Sequence, residues 1–388
     1  MAYGQILSSF QPNRLGPSID TQGVVNEQAT GYERFVYDLW RGGQAELADC
    51  GYPLPSGIAA RIAKMPVFLA EATQPDGNLA QIGDTYVEQP FLQPAPAVPA
   101  RLPLAAVYNA GYIFGRSAWG PGGTFYSLRF GPGRQVHGHD DHMGLTYYSR
   151  GRNLIVNAGH TGYEVSPYRD YIRSPEAAST FISPGARFHA AAATSLVSDE
   201  ISPNSQFYEF SDQAFGGPRS RSVYVHQGPD FVLVLDQGSS QEYYQQLWHL
   251  DPRLAVTSVT TASATATAPA VAATATSRAI PATTLRIARI ALPGQVIPAG
   301  STTVVEGQTS PYQGWVSRQA LQRVPAPVVI MSSTGAGMSL STTIITLIAA
   351  TAPGTPVSAT AVATATPGLY SVRVRIGAAT VTVPISVP

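Results

Sequence analysis

A chain of 388 residues, 44% of them apolar, is long enough to bury more than one core. Basic and acidic side chains balance at 24 each, with Lys64 the single lysine, so no basic face for nucleic acid or an anionic membrane is written into it. The lone Cys50 excludes an internal disulfide and a thiolate metal site, and no apolar run reaches the roughly 18 residues of a membrane-spanning helix.

Residues 1–19 carry no period, and the first of them lack the charged and apolar segments of a secretory signal. From Asn26 the spacing turns helical. Tyr32, Val36 and Leu39, with Phe35 and Trp40, share one face, and Gly51 with Pro53 supplies the stop. A second helix is predicted over residues 56–73, with Ile58, Ile62, Met65 and Leu69 on one stripe and a kink at Pro66. Gln74-Pro75-Asp76-Gly77 reads as a turn, and the proline-rich stretch 88–106 as a linker.

After the linker the period falls to two. Strands are predicted at Tyr112–Arg116, Thr124–Phe130, Gly144–Tyr148 and Leu154–Asn157, the last two joined by a turn over residues 149–153. Ser222–His226 and Phe231–Asp236 read as a second hairpin around Gly228-Pro229-Asp230. Residues 255–283, rich in Ala, Thr and Val, read as outer strands with small side chains rather than a flexible linker, because Thr is β-branched. Many short strands with regular turns point to a large antiparallel sandwich following a short helical part.

Residues 135–144 hold the densest chemistry. His137, His139, Asp140, Asp141 and His142 put three of the seven histidines and two carboxylates within six positions, in a chain that is only 12% charged. Placed on a strand, His137, His139 and Asp141 would share one face, and Asp140 and His142 the other. The string matches the His-x-His-x-Asp-His metal motif of the metallo-β-lactamase superfamily, and Asn157-Ala158-Gly159-His160-Thr161 looks like that family's next ligand segment. A zinc ion there would activate a bound water for hydrolysis. That family places a helix after the motif and an αβ layer before the next ligand, whereas here a predicted hairpin follows at once.

A second resemblance reaches further along the chain. Gly111–Trp119, ending Arg116-Ser117-Ala118-Trp119, is similar to an early sandwich strand of the heparinase II/III-like polysaccharide lyases. His137-Gly138-His139-Asp140-Asp141 resembles that family's His-x-His-x-Asp core, and Leu154-Ile155-Val156-Asn157-Ala158-Gly159 the strand after it. Tyr168-Arg169-Asp170-Tyr171-Ile172-Arg173-Ser174 resembles its Arg-x-Tyr-x-Arg-Ser segment, and Asn26–Tyr32 the tyrosine-bearing helix of its α/α toroid. The order and spacing fit over roughly residues 20–250.

The resemblance implies a remnant of an α/α toroid over residues 1–87, a linker over 88–106 and an antiparallel β-sandwich over 107–388. It implies the C-terminal part of a longer lyase, exported from the cell and acting on an acidic polysaccharide by β-elimination. Tyr32 takes the place of the family's catalytic tyrosine and His137 that of its catalytic histidine. Without the resemblance, Tyr32 reads equally well as an ordinary core tyrosine and His137 as a structural hydrogen-bonding group. Arg134, Tyr168 and Arg169 are candidates for contacting the acidic sugar. The elimination needs no cofactor. His139 matches a ligand of a structural divalent metal found in some members, but Asn157 and Ala178 stand where the other two ligands belong. His249 reads as structural. The alternatives are a non-catalytic sandwich that binds acidic glycans and the metal-dependent hydrolase.

Overall fold

The computed structural model describes residues 18–86, 102–239, 242–333 and 342–387. The first helix, α1 (Thr30–Asp49), stops where Gly51 turns to φ +76° and its N–H returns 2.9 Å to the Ala48 carbonyl. The helix predicted over 56–73 is two helices, α2 (Ser56–Ile62) and α3 (Met65–Ala72). Proline lacks the N–H that a helix interior needs, so Pro66 breaks the segment and sits in the first turn of the second piece.

The face of α1 read from apolar spacing is not the one the protein buries. Thr30, Glu33, Tyr37 and Leu47 are buried, while Phe35 and Leu39 are 56% and 58% exposed. Tyr37, Leu47, Ile58, Phe68 and Leu69 pack into one cluster with Tyr112, Phe114 and Phe125. The helices therefore rest on a sheet, and Tyr32 is left at the flank of that contact.

That sheet is a meander of β1 (Ala105–Tyr108), β2 (Tyr112–Arg116), β3 (Phe125–Arg129), β4 (Leu145–Ser149) and β5 (Arg152–Ile155), all antiparallel and in chain order. The β4–β5 turn has Arg150 and Gly151 both at positive φ, 56° and 76°, the backbone twist a two-residue hairpin requires. Of the predicted linker, residues 88–101 lie outside the described residues, and β1 begins inside its last positions.

An eight-stranded antiparallel sheet faces the meander, with strands Ser205–Asp212, Arg219–His226 and Phe231–Gly238 near one end. The predicted outer strands are present in it at Ala255–Val259 and Ser263–Ala268. Ile113, Leu128, Leu145 and Tyr147 from one sheet interdigitate with Tyr208, Val223, Val232, Leu285 and Ile348 from the other. Each fully buried Leu, Ile, Val or Phe stabilises the fold by roughly 1.5–3 kcal/mol. A three-stranded sheet (Val357–Ala363, Leu369–Ile376, Ala379–Ser386) covers the outer face through Val372, Val374, Val383 and Ile385 against Leu233, Leu235 and Leu347. The layers explain why β2 and β3 are buried at every position: helices cover one face and strands the other.

Polar ties fix the loop that leaves β3. Arg221 pairs with Asp236 at 2.7 Å, both fully buried, and donates to the carbonyls of Met143 (2.7 Å) and Ser179 (3.0 Å). Arg129 pairs with Asp141 at 3.3 Å and also donates to the Gly111 carbonyl. Residues 130–144 are thereby pinned at both ends, although they contain no regular strand.

Candidate active site

The histidine cluster lies on this pinned loop and not on a strand, so the two-face alternation does not hold. Each side chain goes its own way. Asp140 takes Arg134 at 2.7 Å, Asp141 takes Arg129, and His142 Nδ1 lies 3.0 Å from Thr194 Oγ1 on the opposite side. Burial pushes the His142 imidazole down to about 4, helped by the charge of Arg129. His137 and His139 converge on a residue from elsewhere, Asp84.

The backbone lacing of three distant segments brings Asp84 there. His137 N–H donates to the Glu27 carbonyl at 3.1 Å, and Asp84 N–H to the His137 carbonyl at 2.8 Å. Gly83 sits at φ +61°, and an added Cβ would fall 2.4 Å from the Gln28 carbonyl oxygen and 2.7 Å from that of His137. Gly138 is equally confined, because a Cβ would meet Gln28 Oε1 at 2.2 Å. The buried Gln28 side chain closes the corner: it accepts from Gln135 N–H at 2.6 Å and donates to the Pro132 carbonyl at 3.0 Å.

Asp84 is the hub. His139 Nε2 lies 3.0 Å from its Oδ1 and His160 Nδ1 2.9 Å from the same oxygen, while His137 Nδ1 lies 3.1 Å from Oδ2. Arg169, on α4 (Pro167–Arg173), grips both oxygens, at 3.0 and 3.1 Å. Burial alone would raise the carboxyl, but hydrogen bonds from His139, His160 and Arg169 hold it far below the ordinary carboxylate range. His139 is buried and its imidazole is pushed down from the ordinary value by desolvation, against the pull of Asp84.

His137 carries this hub to the surface. Its side chain is 20% exposed, and the Tyr32 ring stacks on it at a centroid distance of 3.5 Å and an interplanar angle of 7°. A hydrogen on Nδ1 donating to Asp84 leaves Nε2 bare, and Nε2 faces Glu27 Oε2 at 3.7 Å. Burial raises the Glu27 carboxyl, partly offset by His137. Tyr163, 55% exposed, hydrogen-bonds to the Tyr32 hydroxyl, and its own hydroxyl lies 3.2 Å from His137 Nδ1. Desolvation, and then the bond to Tyr32, push the Tyr163 phenol well above the ordinary tyrosine value, so it keeps its proton.

The other predicted sugar contacts sit differently. Tyr168 is 1% exposed and packs among Ala158, Tyr171, Ile172 and Trp315; it is a core residue, because α4 turns that face inward. Arg169 is buried and held by Asp84, which makes it a positioning residue. Arg134 is partly exposed but bound to Asp140. His249 is fully enclosed, and burial lowers it to about 4.

The residues do not fit the metal site that the resemblance implies. His139 presents Nε2 to Asp84, Asn157 spends its amide N–H on the Gln81 carbonyl at 3.0 Å, and Ala178 has no donor atom. The positive charge beside Asp84 is the Arg169 guanidinium. Among the described residues no group of three His, Cys, Asp or Glu side chains is disposed to hold a metal ion. The hydrolase alternative has a different context here: Asp140, Asp141 and His142 turn away to Arg134, Arg129 and Thr194, and a hairpin, β4–β5, follows the motif.

The family profile described as Heparinase II/III-like, C-terminal, matches residues 100–344. The chain belongs to the heparinase II/III-like family. The heparinase-like fold extends through the helices as well. A heparan sulfate lyase from Pedobacter heparinus superposes with a TM-score of 0.79 at 15% identity, over 98% of this chain and 61% of that one. A structure named Heparinase III gives a TM-score of 0.75 at 14% identity, over 99% of this chain and 63% of that one. The chain thus spans about three-fifths of the length of these heparinases. No curated protein sequence matches it. Among the described residues no helix is long and apolar enough to cross a membrane.

Sequence reasoning singles out Tyr32 and His137, which meet, but not Asp84 or Tyr163. Asp84 is one acidic residue in a non-periodic stretch, and Tyr163 is one of 19 tyrosines, so neither carries a local signal. His160 is visible in the sequence only as part of a metal motif; in the structure its Nδ1 lies 2.9 Å from Asp84 Oδ1.

Proposed function

We propose that this chain carries the sandwich side of a polysaccharide lyase active site and cleaves a uronate-containing glycan by β-elimination. The observation that carries the reading is the Tyr32–His137 stack, backed by Asp84 and joined to Tyr163. The hydrogen at C5 of a uronate is weakly acidic, so its removal needs a base at C5 and an acid at the departing oxygen. His137 Nε2 takes the C5 proton; the electron pair forms the C4–C5 double bond; the C4–O bond breaks; and Tyr32 gives its proton to the leaving oxygen. Asp84 holds the imidazole in the tautomer that leaves Nε2 free and stabilises the imidazolium that forms. After the product leaves, His137 gives up the C5 proton to solvent and Tyr32 takes one from it, while Tyr163 keeps its proton and holds the Tyr32 hydroxyl in place.

The stack leaves no space for a sugar between the two rings. The pyranose meets their outer edges, and base and acid approach from one side, the geometry of a syn elimination. One of the similar structures is a heparan sulfate lyase, and that likeness favours a glycosaminoglycan as the polymer. An enzyme with such a substrate works outside the cytoplasm, so export belongs to the same proposal.

The test is ultraviolet absorbance of the unsaturated uronate after incubation with heparan sulfate, chondroitin sulfate, hyaluronan or alginate. The expected result is product from at least one polymer, reduced at least a hundredfold (roughly) in Tyr32→Phe with folding unchanged. Absence of product from all four overturns the lyase reading. Retention on these polymers without product supports a glycan-binding sandwich instead.

A further inference from the structure

The charges around the candidate site do not close on themselves. Arg169 and Arg173 stand one turn apart on α4, so their side chains leave the same face. Arg169 is engaged by Asp84 and Arg134 by Asp140. Arg173 has no carboxylate within ion-pair distance among the described residues, and its Nε is buried without a hydrogen-bond partner. Glu176, three residues on, makes no ion pair with it. Asp140 ties the two elements together: its carboxylate holds Arg134, and its N–H donates 3.0 Å to the Arg173 carbonyl. Burial lowers the Arg173 guanidinium from its ordinary value, the charges of Arg134 and Arg169 lower it further, and Asp84 and Asp140 pull in the other direction. Three arginines thus share two carboxylates, Asp84 and Asp140, and the surplus positive charge at a half-buried position favours the approach of an anion.

We infer that Arg173, with Arg134, forms an anion-binding subsite beside the Tyr32–His137 pair, which takes a carboxylate or sulfate group of an acidic saccharide. The inference rests on the reading of this cleft as a glycan site and adds the residues that recognise the charge. Guanidinium groups suit the task because their fork of N–H donors matches the planar carboxylate and the sulfate oxygens alike. Asp140 is the positioning residue: it orients Arg134 through its carboxylate and α4 through its backbone, and its charge acts on Arg173 without an ion-pair contact.

Binding is measured without turnover, so the result stands whether or not the chain eliminates. The probes are fluorescent oligosaccharides of hyaluronan (carboxylate only), keratan sulfate (sulfate only) and dextran (uncharged), titrated with the full chain. The expected result is that the wild type binds at least one charged probe and not dextran. Arg173→Gln then weakens that binding by about tenfold or more, and Arg173→Lys restores part of it. A loss confined to hyaluronan assigns the subsite to carboxylate, and one confined to keratan sulfate assigns it to sulfate. Arg373→Gln, on the distant three-stranded sheet, serves as the bulk-charge control and is expected to bind as the wild type does. Wild-type affinity in Arg173→Gln, equal loss in Arg373→Gln, or binding of dextran as tight as that of the charged probes overturns the inference. Should Arg173→Gln unfold, Arg134→Gln, at a more exposed position, is read by the same criteria. A lyase-negative chain that still shows the Arg173-dependent loss separates failure of the catalytic reading from failure of this one.

Discussion

Two buried aspartates of this protein have the same arginine chemistry and different fates. Asp236, between the sheets, is gripped by Arg221 through two bonds of 2.7 Å and by Gln246 at 2.8 Å, and the remaining Arg221 donor goes to two backbone carbonyls. Every member of that set is enclosed, so the network ends within the protein and fixes a loop. Asp84 is equally buried and equally gripped by Arg169, but one of its partners, His137, reaches the surface and stacks on Tyr32. A buried ion pair closed on all sides is architecture; the same pair with one histidine opening outward fixes the orientation of a ring that solvent can reach.

The largest expected effect tests the closed network. Arg221→Met leaves Asp236 buried without its counter-charge and is expected to cost about 3–5 kcal/mol in chemical denaturation. Asp84→Asn keeps the shape of its side chain, and Asn can still accept one of the hydrogen bonds. The expected cost is about 1.5–3 kcal/mol of stability, with loss of glycan cleavage. If Asp84→Asn is as destabilising as Arg221→Met and leaves cleavage untouched, the distinction between the two networks falls. The smallest effect is a pH dependence at the side of the loop away from the cleft. His142 is lowered to about 4 in the fold from an ordinary 6.5, so the unfolded chain takes up the proton first. Its contribution is present above pH 6.5 and is lost as pH falls towards 4. Relative to His142→Asn, the wild type is expected to lose about 2 kcal/mol between neutral pH and pH 5, read from denaturation midpoints in matched buffers.

Much of the fold is legible in the sequence because its signals are local. Alternation places β2 at its observed bounds, and the turn residues at 149–153 mark the β4–β5 hairpin. Pro66 reads as a kink, and the chain breaks there into two helices for the same reason, its missing N–H. The buried face of α1 is not legible, because apolar spacing identifies a stripe without saying what lies against it. Phe35 and Leu39 belong to that stripe and face away from the sheet that buries Tyr37 and Leu47. Tyr168 misleads for the converse reason, since a tyrosine in a motif looks the same whether its ring enters the core or the cleft.

The amino-acid sequence by itself determined the antiparallel sandwich and the helical lead-in, because periodicity and turn chemistry are properties of neighbours along the chain, and its resemblance to a known family singled out Tyr32 and His137 as candidates. Only the tertiary structure decided that Asp84 is the hub, that Arg169 supplies the positive charge beside it, that Tyr163 completes the tyrosine–histidine group and that Arg173 makes no ion-pair contact among the described residues. Those relations join residues 53 to 131 positions apart, or depend on a missing partner, and no local pattern encodes them. They arise when the loop after β3, the corner at Gly83 and the start of α1 are laced together by backbone hydrogen bonds, which place the charged side chains in a common, poorly solvated space.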